Sequence, residues 1–260
     1  MKAPDAPVPR IAPTPWGLVV LLGAMTAFGA LSVDAYLPAL PEMAADLGAS
    51  AEAAQATVAI YFVGMGFGQL LYGAASDLWG RRPAILTGVA IYVAAGIACA
   101  LATSIEFLIA ARLLQALGGC AGIVIGRAIV RDRFDHLNAA RILSLLGLIM
   151  GMAPLLAPFG GALILHYFGW RPIFGFLVVF GLGVGLFVLL TLKETRSPET
   201  AIRARAESAG RAYLALLRQP RFVGYLIAGG LNGACLLTYV ASSPQVLMGY
   251  YGITPGAFGW

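Results

Sequence analysis

Long apolar runs alternate with short polar segments along this 260-residue chain. A bilayer core takes about 20 mostly apolar residues per helix. Runs of that kind lie at Trp16–Leu37, Ala53–Ser76, Ala84–Thr103, Phe107–Val130, Ile142–His166, Ile173–Leu192 and Phe222–Ser242. An eighth begins at Pro255. The pattern predicts an all-α membrane protein with seven spans and the start of another. Most of the segments between spans are short, so neighbouring helices are expected to pack antiparallel.

The charges follow the same rhythm. Lys2 and Arg10 precede the first span; Asp77, Arg81 and Arg82 separate the second from the third; Arg131, Arg133 and Arg141 separate the fourth from the fifth. Lys193, Arg196, Arg203, Arg205, Arg211, Arg218 and Arg221 lie between the sixth and seventh. With simple alternation, all of these fall on one side of the membrane. The opposite segments carry Glu42, Asp46, Glu52 and Glu106, with Arg171 as their one basic residue. Basic loops stay in the cytoplasm, which places the N-terminus there.

Composition narrows the class further. The chain is 60% hydrophobic and only 11% charged. A soluble domain carries about 25% charged residues, so this one lacks the polar surface to dissolve in water. The net charge of +5 sits in membrane-flanking loops, an arrangement that does not suit nucleic acid. Cys99, Cys120 and Cys235 all lie inside apolar runs without disulfide or metal-ligand spacing, so no metal site is expected. His136 and His166 fall at span ends with no catalytic constellation beside them, and the chain does not read as an enzyme. The only lysines, Lys2 and Lys193, lie outside the spans, which excludes a Schiff-base photoreceptor. The chain thus divides into a Pro- and Ala-rich disordered tail at 1–15, a six-helix domain at 16–192, a basic linker at 193–220 and the start of a second membrane domain at 221–260. The linker reads as a solvated connector that fixes topology, with contact to anionic lipid headgroups as the alternative.

Four segments stand out chemically. Gly73-Ala-Ala-Ser-Asp77-Leu-Trp-Gly80-Arg81-Arg82 joins two spans by a tight turn at Gly80. Its charges suit an ion-pair latch, with Asp132 as a partner, or a simple topogenic turn. Arg112-Leu-Leu-Gln115 places a cation inside the fourth span, where a charge costs about 2.5–3.5 kcal/mol on insertion scales and is expected to face a cavity or a partner. Gly118, Gly122 and Gly126 follow at four-residue spacing, which lets a neighbouring backbone approach. In the fifth span, Pro154 and Pro158 remove backbone donors, and Gly160 and Gly161 allow tight packing there. The first span ends in Ser32-Val-Asp34-Ala-Tyr36-Leu-Pro38-Ala-Leu-Pro41.

These segments resemble the signature motifs of the major facilitator superfamily. Leu78 replaces a usual basic residue in the first, and Ala116 a usual glycine in the second. The fifth-span segment is similar to the superfamily's antiporter motif, with alanines at 153, 157 and 162 in place of glycine and with Pro154, Pro158 and Gly161 as its kink. Together with Gly68-Gln69-Leu-Leu-Tyr72-Gly73 and Arg127-Ala-Ile-Val-Arg131-Asp132, the whole resembles the Bcr/CflA drug-resistance branch from about Trp16 to Trp260. The resemblance implies an N-terminal six-helix bundle followed by a seventh helix and the start of an eighth. It also implies a multi-pass protein of the bacterial inner membrane that exports drugs in exchange for protons.

In that fold the first and fourth helices line a central cavity. Asp34 and Arg112 fall at similar depth in the half of the membrane away from the basic loops. Burial and a neighbouring arginine act in opposite senses on a carboxylate's charge, a balance that lets it bind and release protons. Asp34 and Arg112 are therefore the expected proton-coupling pair, and Tyr61, Gln115, Gln55 and Asn232 the expected polar contacts of the cavity. Gly73, Asp77, Gly80, Arg81, Arg82 and Asp132 are the expected cytoplasmic gating loop. The expected energy source is the proton gradient, with no cofactor. The expected partners are the lipid bilayer, protons and small amphipathic drugs of the bicyclomycin, sulfonamide and chloramphenicol-like kinds, with the protein a monomer. Transport of a metabolite by the same fold is the alternative. Such transporters have about twelve helices, so the chain is expected to be a fragment or a truncated product that does not transport alone.

Overall fold

The computed structural model describes residues 16–206 and 208–259. The tail at 1–15 lies outside the described residues. The chain begins with α1 (Trp16–Asp34), a 3-10 turn (Leu37–Ala39) and α2 (Leu40–Asp46). Five long helices follow: α3 (Ala51–Trp79), α4 (Arg81–Ala100), α5 (Ile105–Arg133), α6 (His136–Phe168) and α7 (Arg171–Thr191). Then come α8 (Pro198–Ala206), α9 (Ala209–Leu217), α10 (Pro220–Pro244), a π turn (Gln245–Tyr250) and α11 (Pro255–Gly259). No strand occurs among the described residues. Seven helical stretches there are long and apolar enough to cross a membrane.

Local chemistry sets the helix ends. Ser50, Ser104 and Asp135 cap α3, α5 and α6, each accepting a hydrogen bond from the backbone N–H three residues on. Gly80 has φ +110, a backbone that L side chains rarely adopt, and it lets α3 turn directly into α4. At the end of α1, Pro38 has no N–H to offer the carbonyl of Asp34, so the helix tightens before it. Tyr36 N–H bonds to Val33 O rather than to Ser32 O.

The first six spans pack around α5. Helices α3 and α4 press against its two flanks, α1 meets it and α6, and α7 backs α4. Small residues permit these approaches. A Cβ on Gly118 would lie 2.5 Å from both the Gly88 carbonyl oxygen and the Tyr92 nitrogen of α4. One on Gly122 would lie 2.5 Å from the Met25 carbonyl oxygen of α1. Gly126 is looser, with Leu22 Cδ2 at 3.7 Å. The four-residue glycine spacing therefore serves two neighbours rather than one.

Helix α6 passes through Pro154 and Pro158 without a break. Gly161 rests on the carbonyl of Ala35, just past the end of α1, and any Cβ there would overlap it. Beside the prolines, α1, α6 and α7 leave an apolar hollow of about 600 Å³ lined by Leu31, Met152, Leu156, Gly160, Ile164 and Phe176.

The linker folds into α8, which lies against α3, and α9, which joins α10, and neither helix has a buried residue among those described. Helix α10 stands at the margin of the bundle, with Pro244 its one buried residue among those described.

Candidate substrate and proton site, and the loop cluster at the basic end

Arg112 is fully buried, about two turns inside α5 from the end away from the basic loops. Its Nη2 donates to the carbonyl of Ser32 at 2.9 Å, and its Nη1 donates to Gln115 Oε1 at 2.7 Å. The Ser32 carbonyl is the one released when α1 tightens before Pro38. Around the guanidinium stand three rings, with centroids at 4.2 Å for Tyr61, 5.0 Å for Tyr36 and 5.7 Å for Phe174. A cation over ring faces gains electrostatic attraction that grows as water is removed. The negative end of α1's macrodipole adds to it. Arg112 is thus held by carbonyl, amide and ring electrons, while its Nε has no partner among the described residues.

The shell around it is polar but closed. Ser32 Oγ and Tyr92 Oη lie 2.7 Å apart, and Tyr36 Oη lies 2.6 Å from Thr57 Oγ1. Tyr61 Oη and Gln115 Nε2 are buried without partners among the described residues. Unpaired buried donors are costly, so both donors remain available to a further partner.

Asp34 lies two residues beyond Ser32 and is 7% exposed. Its carboxylate takes no hydrogen bond or ion pair among the described residues. The structure therefore does not join Asp34 and Arg112 directly. The physical reason is the break in α1, which presents a main-chain carbonyl to the guanidinium. Of the four expected cavity residues, Tyr61 and Gln115 surround Arg112. Gln55 instead reaches from α3 to the Ala241 carbonyl of α10 at 3.5 Å. Asn232 lies exposed on α10, apart from the Arg112 group, because α10 leans on the bundle only at its edge. Ser32, Tyr36, Tyr92 and Phe174 were not singled out in the sequence. The short spacing from Ser32 to Pro38 was the signal for the first two, whereas nothing local marks the others.

At the basic end, the turn between α3 and α4 builds a second cluster. Arg81 is nearly buried and bonds Asp132 Oδ2 through Nε at 2.9 Å, and Asp77 and Ser76 Oγ through Nη1. The linker completes it through two residues that sequence reasoning passed over. Glu194 accepts the backbone N–H groups of Arg81 and Arg82, at 3.0 and 3.2 Å, and so caps α4. Burial favours the neutral acid of Glu194, but four backbone donors, from Arg196, Arg81, Arg82 and Thr195, outweigh it and hold the carboxyl below its ordinary range. Arg196 donates to the carbonyls of Asp77 and Leu78 at 3.0 and 2.6 Å, closing the end of α3. Arg82 donates to the Leu189 carbonyl at 2.8 Å, closing the end of α7. A Cβ on Gly80 would meet Glu194 Oε2 at 2.5 Å, so the glycine also makes room for the cap. Gly73 borders the same region, 3.5 Å from Tyr213 Oη as measured from an added Cβ. At the opposite end, Arg171 pairs with Asp46 at 2.6 Å and bonds the Ala102 carbonyl, which gives the lone basic residue of that side its counter-charge.

An all-helical bundle with membrane-length spans, a buried arginine behind a broken first helix and an ion-paired turn after the second span together define a polytopic membrane protein with a polar interior. The chain belongs to the Major Facilitator Superfamily, whose profile matches residues 20–260. It is 37% identical over 243 residues to the uncharacterized MFS-type transporter YdgK of Bacillus subtilis, covering 93% of this chain and 60% of that protein. It is 32% identical over 242 residues to the bicyclomycin resistance protein homolog of Haemophilus influenzae, covering 93% and 61%. It is 34% identical over 228 residues to the multidrug resistance protein MdtL of Escherichia coli, covering 87% and 57%. The chain thus spans about three fifths of these relatives. Among solved structures, a bacterial homolog of the human lysosomal transporter Spinster, in an inward-facing and unoccupied conformation, superposes with a TM-score of 0.74 at 15% identity, over 95% of this chain and 59% of that one. The human organic anion transporter MFSD10 superposes with a TM-score of 0.67 at 17% identity, over 95% and 68%.

Proposed function

We propose that this chain works in a drug:proton antiporter of the bacterial inner membrane. The observation that carries the reading is Asp34, a carboxylate without an internal partner, placed two residues from the carbonyl that holds Arg112. A buried acid with no fixed counter-ion has a low-cost neutral state, so it is suited to take up a proton and give it back. When Asp34 is ionised, Arg112 of α5, held by the carbonyl two residues before Asp34, is the cation placed to answer its charge, and the bond to Ser32 is the contact it gives up.

Relatives named for bicyclomycin and multidrug resistance support export of small amphipathic drugs as the cargo. Sulfonamides and chloramphenicol-like compounds are the other classes to try. Inward proton movement supplies an electrical drive of about 2.3 kcal/mol per charge per 100 mV. The basic segments, the Asp77–Arg81–Asp132 cluster among them, face the cytoplasm in this reading, with the N-terminus on the same side.

The test is drug accumulation in cells with and without the gene, across a panel that includes bicyclomycin, sulfonamides and chloramphenicol. Cells with it accumulate less, and the difference disappears when a protonophore is added. Asp34→Asn abolishes the difference while leaving the amount of protein in the membrane unchanged. Full efflux by Asp34→Asn would remove this carboxylate from the coupling.

A further inference from the structure

Helix α9 is an amphipathic element that the bundle leaves uncovered. Arg211 within it and Arg218 at its end fall on one side at about 100° per residue, with Ala209, Tyr213, Leu216 and Leu217 on the other. None of its residues is buried. Leu214, Leu216 and Leu217 are 51%, 37% and 53% exposed. Arg211, Arg218 and Arg221 are exposed and make no side-chain hydrogen bond or ion pair among the described residues.

The depth of α9 is fixed by Tyr213. Its hydroxyl donates to the Leu70 carbonyl of α3 at 2.9 Å. Leu70 lies about two and a half turns inside the basic end of α3. Helix α9 therefore sits beside the last turns of a membrane-crossing helix, at the basic end of the bundle. A connector in open water would expose Leu216 and Leu217 at a cost in hydration. At an interface these two leucines enter the acyl boundary and the arginines on the other side meet phosphates. A shallow hollow of about 280 Å³, lined by Ala206, Ser208, Arg211 and Ala212, opens next to the first of these arginines.

We infer that α9, with Arg211, Arg218 and Arg221, is a docking surface for anionic phospholipids of the leaflet at the basic end of the bundle. Charge complementarity selects the anionic class. The leucines select a lipid over a soluble anion. Neutral phosphatidylcholine offers the same acyl boundary without the net charge, so the arginines discriminate between the two.

The experiment uses the whole chain in nanodiscs of phosphatidylcholine, with or without phosphatidylglycerol. Backbone hydrogen exchange is read over 209–217. Phosphatidylglycerol is expected to slow exchange there and to leave α5 unchanged. Each arginine removed should weaken the lipid's hold about fivefold, and Arg211→Gln/Arg218→Gln/Arg221→Gln together should abolish the lipid dependence. The corresponding triple lysine variant should keep it, and intact protection of α5 shows that each variant is folded. Raised salt should reduce the effect. Equal exchange in both bilayers would overturn the proposal, as would a triple glutamine variant that still responds to phosphatidylglycerol.

Discussion

Arg112 Nη2 donates to the main-chain carbonyl of Ser32 at 2.9 Å, across the interface between α5 and α1. That carbonyl is available because Pro38 tightens the end of α1 and draws the Tyr36 N–H to Val33. The charge of Arg112 is thus answered by the end of a helix and by three aromatic rings rather than by a carboxylate. A neutral hold of this kind is easier to exchange than a buried ion pair, whose rupture strands two charges. It leaves Asp34, one half-turn on, without a fixed counter-ion.

The arginine is therefore expected to matter more for transport than for folding. Arg112→Met keeps the volume and removes a buried charge that no carboxylate pairs, which spares its desolvation. It also orphans the Ser32 carbonyl and the Gln115 amide oxygen, at about 1–3 kcal/mol each. The two effects oppose each other, so the melting midpoint of the purified Met variant should stay closer to that of the parent than that of an Ala variant. Arg112→Ala adds a cavity between three rings and should lower stability by about 3–5 kcal/mol. Drug efflux in cells should be lost in both. A Met variant that melts as early as the Ala variant would mean that the charge itself is structural.

Glu194 predicts a pH dependence confined to the basic end. Its folded-state carboxyl is held below the ordinary glutamate value of 4.5 by four backbone donors acting against burial. The sign follows from linkage: the cap contributes fully above that ordinary value and is lost as the pH falls through the lower folded-state value. Hydrogen-exchange protection at Arg81 and Arg82, taken relative to the intrinsic rate at each pH, should fall on acidification below about pH 4.5 while the core of α5 stays protected. Glu194→Gln should show the faster exchange already at neutral pH, with no acid step of its own. An unchanged acid step in that variant would mean that Glu194 is not the group behind the transition.

Arg81 allows a separate test of the ion-paired turn. Its side chain is 6% exposed, while those of Asp132 and Asp77 are 17% and 43% exposed. The shielded Asp132 bond should therefore carry more of the stability than the solvated Asp77 bond. Asp132→Asn should cost about 1.5–3 kcal/mol, the range for hydrogen bonds to charged groups, and Asp77→Asn less than about 1 kcal/mol. Thermal midpoints of the two variants, measured side by side, check the order. Equal losses would show that Arg81 is held by both carboxylates alike.

How much of this was legible in the residues depends on the range of the interaction. The spans were readable because hydrocarbon imposes a length and an apolar composition on each one. Gly80, Arg81 and Asp77 were readable because they sit within one turn of each other. The bond from Arg112 to Ser32 was not, since it joins residues 80 positions apart and uses a carbonyl that every residue has. Glu194 was hidden for the same reason: it caps a helix 113 positions earlier, and a cap that comes from a distant segment leaves no local signature. Asn232 was expected in the cavity from its polarity alone, but polarity does not say which side of α10 meets the bundle. The linker helices were missed because nine-residue helices carry too few turns for a clear period.

Two glycines, one at a helix crossing and one on an open surface, separate packing from backbone freedom. An alanine at Gly118 would bring its Cβ to 2.5 Å from the backbone of Gly88 and Tyr92, atoms that no rotamer change can move aside. Helices α4 and α5 must then part along their whole contact, at a cost of about 1–3 kcal/mol or more. An alanine at Gly147 of α6 meets nothing within 4 Å. There the only effect is a less flexible unfolded chain, worth about 0.4–1 kcal/mol of added stability. Gly118→Ala should therefore lower the melting midpoint and Gly147→Ala raise it slightly, although the chemical change is the same. If both variants moved in the same direction, the close approach of α4 to α5 would not be what the glycine at 118 provides.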